Sequence, residues 1–120
     1  MELVDKAEEN LEAAERLLGD GTDPLNNAAA SRAYYAAYQA VCDCAFRSGR
    51  TPSREYFRHD ELPRDAVVWR ILDRERGRKM RVLMATRVKA DYWKEAVDYA
   101  EAAGALEAAT DIVSHCRNAS

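Results

Sequence analysis

The stretch Ala28-Ala29-Ala30-Ser31-Arg32-Ala33-Tyr34-Tyr35-Ala36-Ala37-Tyr38 decides the fold. Alanine is the strongest helix former, and no glycine or proline interrupts the run. At helical spacing Tyr34, Tyr38, Val41 and Ala45 form one stripe, and Tyr35, Cys42 and Phe46 form its neighbour. A helix apolar on two adjoining stripes is predicted to run through the centre of a bundle, and its alanines let other helices come close. Thr22 or Asp23 can cap it with Pro24 at the first helical position, and it should run to about Ser48, where Gly49 stops it.

Four more helical segments are predicted around it. Leu3, Ala7, Leu11, Ala14 and Leu18 mark one face of a helix from about Glu2 to Leu18, ended by Gly19 and Gly21. After a connection over 49–63, a short helix from about Pro63 to Arg74 should bury Val67, Val68, Ile71 and Leu72. Gly77 should separate it from a fourth helix, about Lys79 to Tyr92, with Met80, Leu83, Met84 and Val88 inward. A fifth, about Trp93 to Cys116, carries Tyr99, Ala102, Leu106, Ala109, Val113 and Cys116 on one stripe. No Gly or Pro marks the break between the fourth and fifth, so one long bent helix is the alternative. The expected architecture is all-α: a four- to five-helix up-and-down antiparallel bundle.

Composition agrees. The 120 residues are 48% apolar with three prolines and five glycines, which suits one helical domain over 1–120. No apolar run approaches the roughly 20 residues of a membrane span. The start MELVDKAEEN has no apolar signal-peptide core, so the expected location is the cytoplasm. Cys42, Cys44 and Cys116 are read as reduced thiols. Cys42 and Cys44 point about 200° apart on a helix and cannot share a metal or a bridge.

Charge is unevenly spread. Residues 1–46 carry a net −6, residues 47–94 a net +7 and residues 95–120 a net −4. The basic block is either a solvated face pairing with the acidic ends or a surface for nucleic acid, nucleotide or an acidic partner. Within it, Arg50, Arg54, Arg58 and His59 alternate with Tyr56 and Phe57.

Two strings carry a family resemblance. Arg32-Ala33-Tyr34-Tyr35-Ala36-Ala37-Tyr38 resembles the second-helix signature of small bacterial and archaeal HEPN (higher eukaryotes and prokaryotes nucleotide-binding) proteins. Arg87-Val88-Lys89-Ala90-Asp91-Tyr92, about 55 residues on, resembles that subfamily's Arg-x-Lys-Ala-Asp-Tyr string. The resemblance implies a helical bundle that commonly dimerises. It also implies one of two activities. Many members are ribonucleases, often toxins, with an Arg followed four to six residues later by a His across the dimer interface. Others are non-catalytic and pair with a minimal nucleotidyltransferase.

This chain departs from the catalytic pattern. Tyr92 stands where the nearest His after Arg87 would be. Cleavage through a 2′-hydroxyl needs a group that exchanges a proton near neutral pH; His does so with an ordinary pKa near ~6.5, and Tyr near ~10 does not. Arg54 and His59 meet the spacing but lie in the connection, and His115 near the C-terminus is read as a surface residue. Two histidines and no carboxylates at ligand spacing argue against a metal site, and no phosphate-binding glycine loop appears, so no cofactor is expected.

Two readings of the polar groups stay open. Arg32, Arg87 and Asp91 could form an ion-pair network fixing two helices, since an unpaired buried charge is costly. Alternatively Arg32, Arg87, Lys89, Asp91 and Tyr92 bind a phosphate or nucleotide, which the arginine fork suits. Tyr34, Tyr35 and Tyr38 are core or a base-stacking platform, and Trp69 and Trp93 are candidate interface residues. The expected function is a non-catalytic HEPN-type domain, a homodimeric partner of a nucleotidyltransferase-like protein that binds nucleotide or RNA. The alternatives are a metal-independent ribonuclease toxin using Arg87, or Arg54 with His59, and a plain protein-interaction module.

Overall fold

A computed structural model describes residues 2–119. It contains five helices: α1 Leu3–Leu18, α2 Asn26–Arg47, α3 Leu62–Val68, α4 Arg74–Tyr92 and α5 Tyr99–Asn118. The long helices run alternately up and down. α2 packs against α1, α4 and α5, and α5 packs against α1 and α4. α2 and α5 therefore form the inner pair, running parallel. Asn27 at the start of α2 accepts a bond from the Val97 N–H just before α5, at 2.8 Å. At the far end Arg47 donates to the carbonyls of Cys116 and Ala119, at 2.9 and 3.1 Å. A cation on the last carbonyls of a helix satisfies orphan acceptors and complements the helix dipole. Asp43, the one buried charged residue described, holds Arg47 at 2.7 Å.

The inner pair can lie close because its contacting side chains are small. Ala33, Ala36, Ala37, Ala40 and Ala45 of α2 are buried, as are Ala102, Ala105 and Ala109 of α5. Tyr34, Val41, Met80, Leu83 and Ile112 supply the bulk of the core, each aliphatic worth roughly 1.5–3 kcal/mol of burial. The three cysteines are buried and free. Burial pushes the thiols of Cys42 and Cys116 up to about 12, so they are packed as small apolar groups. No helix is long and apolar enough to cross a membrane among the described residues.

Several boundaries differ from the sequence expectation, each for a local reason. α2 starts at Asn26, not Pro24, because Asp20 closes a turn on Thr22 through its N–H and hydroxyl, at 3.0 and 2.7 Å. The Leu25 N–H then bonds back to the Leu17 carbonyl. α3 stops at Val68, which stays exposed. Ile71 and Leu72 are buried from a turn in which Arg70 takes a positive φ. The turn exists because Asp73 caps α4, accepting from the Arg76 N–H at 2.8 Å. α4 therefore begins at Arg74 and runs straight through Gly77 instead of starting after it.

Gly77 is a packing residue. A Cβ there would lie 2.6 Å from Cγ2 of Val67, so the missing side chain is what lets α3 rest on α4. α4 and α5 are separate helices, because Asp98 and Glu101 form a capping box that starts α5 at Tyr99. Tyr99 faces solvent instead of the core. His115 is half-buried rather than at the surface, its Nε2 bonded to the Ile71 carbonyl at 2.8 Å.

Gly77→Ala should destabilise the protein by about 1–3 kcal/mol, the cost of overpacking. Val67→Ala, which removes the opposing methyls, should recover part of that loss in the double variant. Urea titration of the four proteins measures the coupling.

Candidate functional site

The site grows from one face of α2. Tyr34 and Tyr38 lie one turn apart, and the connection between α2 and α3 folds over them. α2 ends with Gly49 in the left-handed region. The Gly49 N–H bonds the Phe46 carbonyl and the Arg50 N–H reaches back to Ala45, which reverses the chain. Phe57 is then buried against Phe46 and Trp69, with ring centroids at 5.1 and 5.8 Å. Arg50 lies over the outer face of Trp69. The Tyr38 hydroxyl donates to the Phe57 carbonyl at 2.5 Å. Two residues on, His59 stacks on the Tyr38 ring with centroids 4.2 Å apart, and its Nδ1 meets the Tyr34 hydroxyl at 2.5 Å. The Arg58 carbonyl then accepts from the N–H groups of Glu61 and Leu62, starting α3.

Arg87 of α4 comes in from the other side. Its guanidinium carbon lies 5.1 Å from the Tyr34 ring centre, 5.6 Å from Tyr35 and 5.9 Å from Tyr92. The side chain is only 12% exposed, and its ion-pair partner is Asp91, one turn on, at 3.7 Å. Its Nε is buried with no hydrogen-bond partner. The charge is thus held mainly by aromatic faces and one loosely placed carboxylate.

Arg87 and His59 open into one cleft of about 570 Å³, with Arg54, Tyr56, Arg58 and Asp60 on the connection side and Met84, Val88 and Trp93 on the helix side. Asp60, the carboxylate in the lining, is engaged bidentately by Arg58 at 3.2 and 3.1 Å. Arg54 makes no ion pair among the described residues. The cleft is therefore basic, with aromatic walls.

The local electrostatics fix the protonation of the two central groups. Burial lowers the His59 pKa below its ordinary value, the Arg87 charge lowers it further, and Asp60 opposes. His59 is accordingly neutral near pH 7. Burial raises the Tyr34 hydroxyl well above its ordinary value, against the pull of Arg87, so Tyr34 keeps its proton.

Of the residues expected at a site, the structure brings Arg54, His59 and Arg87 together, with Asp91 and Tyr92 beside Arg87. It does not gather Arg32 or Lys89. Each lies two residues from a member of the cluster, so helical geometry turns it about 200° away. Arg32 is exposed on the α1 side and donates to Asn10 at 2.9 Å. Lys89 reaches α5 and pairs with Glu101 at 2.8 Å. The expected Arg32–Arg87–Asp91 network is therefore reduced to Arg87–Asp91. Tyr34 and Tyr35 serve the core and the arginine together, and Trp93 lines the cleft. Tyr56, Arg58 and Met84 were not expected there; the alternation of arginines and aromatics over 54–59 is the sequence signal for the first two, and Met84 reads as an inward residue of the fourth helix. No cluster of three His, Cys, Asp or Glu able to hold a metal occurs among the described residues.

His59 should titrate below ~6.5 by proton NMR, and Arg87→Gln should move it upward by removing one of the two lowering causes. A depressed histidine pKa means that the unfolded chain binds the extra proton first. Stability should fall as pH drops below about 6.5 and level off beneath the folded pKa, over a narrower window in Arg87→Gln.

Compared with curated proteins, the chain finds no match. The HEPN domain model matches residues 1–119, essentially the whole length. The all-α, five-helix fold is consistent with that match, and the chain belongs to the HEPN domain family.

Proposed function

We propose that this HEPN domain is a non-catalytic binding module whose cleft between the α2–α3 connection and α4 takes the phosphate of a nucleotide or of RNA. The observation that carries this reading is Arg87: a guanidinium nearly out of solvent, with a buried unpartnered Nε, at an open cleft with Arg54 and Arg58. An anion in the cleft would bond the terminal guanidinium nitrogens, whose carboxylate partner stands off at 3.7 Å, and the planar fork suits phosphate oxygens. Tyr56 and Trp93 are exposed beside it and offer faces on which a base can stack. With Tyr92, they also form an aromatic rim that a second copy could cover, in keeping with a homodimer. A nucleotidyltransferase-like partner is what the family resemblance suggests, and the cytoplasm is the location expected from the sequence.

A second reading is a metal-independent ribonuclease, favoured by one observation: neutral His59 shares the cleft with Arg87. In the family pattern the His follows the Arg on one helix, but here the connection between α2 and α3 would deliver it. With Nδ1–H donating to the Tyr34 oxygen, His59 Nε2 could accept the 2′-hydroxyl proton as the 2′-oxygen bonds phosphorus, then return it to the departing 5′-oxygen when the P–O5′ bond breaks, while Arg87 holds the phosphate.

Thermal unfolding with ATP, GTP, UMP and a short oligouridylate separates these readings. A ligand at a hundred times its Kd should add about 2.7 kcal/mol of stability. Oligouridylate affinity should fall with salt at a slope of about −2, as three phosphate contacts predict, and Arg54→Ala should reduce that slope by about 0.7. Intact RNA after incubation with the wild-type protein supports the binding module. Cleavage abolished by His59→Ala, in a variant that still binds, would replace it with the ribonuclease. No stabilisation by any of these ligands would remove the binding reading.

A further inference from the structure

A second surface, separate from the cleft, lies on the outer side of α3 and the first half of α4. Arg74, Arg78 and Arg81 project there at i, i+4 and i+7, and Arg64 of α3 stands across from them. The groove between holds about 320 Å³ and has Val67 and Val68 in its wall. Val68 is 69% exposed, and Val82, one turn beyond Arg78, is 63% exposed. The ion pairs of the described residues are otherwise numerous, yet Arg74, Arg78 and Arg81 take part in none. Neighbouring cations of the same helix are neutralised: Arg76 by Asp73 and Asp111, Lys79 by Asp111 and Lys89 by Glu101. The carboxylate of the outward turn is Glu75, which pairs with none of the three.

Both the charges and the valines need an occupant. Three like charges within roughly 10 Å of helix repel one another, and no ion pair among the described residues offsets them. Two aliphatic side chains left in water beside them serve no folding purpose that the core requires. A nucleic acid would answer the charges and leave the valines wet, and the groove has no aromatic face on which a base could stack. A protein segment answers both.

We infer that the α3–α4 groove docks an acidic amphipathic helix from a partner protein. Carboxylates at i, i+4 and i+7 on the partner meet Arg74, Arg78 and Arg81, and its aliphatic side chains cover Val68 and Val82. The spacing of the arginines is that of a helix, so two helices laid along each other match charge for charge. Single-sign charge on one side of the contact sets the orientation and speeds encounter, and the buried valines hold the complex. The docking leaves the cleft of Arg87 and His59 open, so one domain can hold a partner and a phosphate ligand at once.

The test is selection from a displayed library of random peptides about four helical turns long, against the full chain. Enriched peptides should carry Asp or Glu at i, i+4 and i+7 with aliphatics between. Each should bind at least roughly tenfold more weakly to Arg78→Glu/Arg81→Glu and to Val68→Ser, and unchanged to Arg54→Ala in the cleft. Circular dichroism checks that all variants fold. The inference is overturned by enriched peptides that lack acidic residues, and equally by acidic peptides indifferent to Val68→Ser, which would mean charge attraction alone. If Arg78→Glu/Arg81→Glu abolishes oligouridylate binding and leaves peptide binding intact, the groove is a nucleic-acid surface instead. If the double variant changes the sedimentation of the protein alone, the occupant is a second copy.

Discussion

Tyr34 and Tyr38 sit one turn apart on the most buried helix, and each spends its hydroxyl on the connection that crosses them. One holds His59 and the other holds the backbone of Phe57. The remainder of the site depends on that pair of bonds. A connection with this many arginines and so few apolar residues has little to bury, and its ordering cost is of the order of 1–2 kcal/mol per residue. Phe57 supplies the apolar anchor, packed between Phe46 and Trp69 in tilted and edge-to-face contacts, and the tyrosines set the register of the residues after it. The same two rings face the other way as well: Tyr34 is a floor for Arg87. One helix thus places a histidine from a loop and an arginine from α4 at a common cleft.

Arg87 is the constraint that the cleft is built around. A desolvated guanidinium normally demands a well-placed carboxylate, and Asp91 at 3.7 Å is a weak one. Three aromatic rings compensate in part, because ring faces attract cations more strongly away from water. The arrangement leaves hydrogen-bonding capacity unused at Nε, and it lowers the pKa of His59. Beyond burial, it is the positive field of Arg87 that depresses the His59 pKa, and that field suits an anionic ligand. The arrangement also explains why the α4 string is basic without being symmetrical: Arg87 turns inward, Lys89 is consumed by Glu101, and Arg74, Arg78 and Arg81 face out. The basic middle of the chain is therefore two surfaces with different surroundings, one concave and aromatic, the other grooved and aliphatic.

Much of this is legible in the amino-acid sequence alone. The double stripe on α2 identifies the central helix, and the alanines forecast close packing. The Arg-Ala-Tyr-Tyr and Arg-x-Lys-Ala-Asp-Tyr strings point to the HEPN family. The features that escape a sequence reading are local or three-dimensional. Gly77 reads as a breaker, but its meaning is the approach of Val67, which no pattern on α4 alone reveals. Asp98-x-x-Glu101 is a capping box in plain view and marks the start of α5, while the expectation of a helix beginning at Trp93 hides it. Arg32 groups with Arg87 in sequence because both stand in recognisable strings, although Arg32 lies two residues from Tyr34 and so faces α1. His59 is legible as a residue and illegible as a neighbour of Arg87, since its position depends on two tyrosine hydroxyls meeting a loop.

The cleft exists only if the connection is pinned to α2. Nuclear Overhauser contacts in uniformly labelled protein measure this directly. Cross-peaks should join the His59 imidazole to the Tyr38 ring and the Arg87 side chain to the Tyr34 and Tyr35 rings. Random-coil chemical shifts over residues 50–61, with no contact between His59 and either Tyr34 or Tyr38, would contradict it, because the histidine and the arginine would then share no cleft.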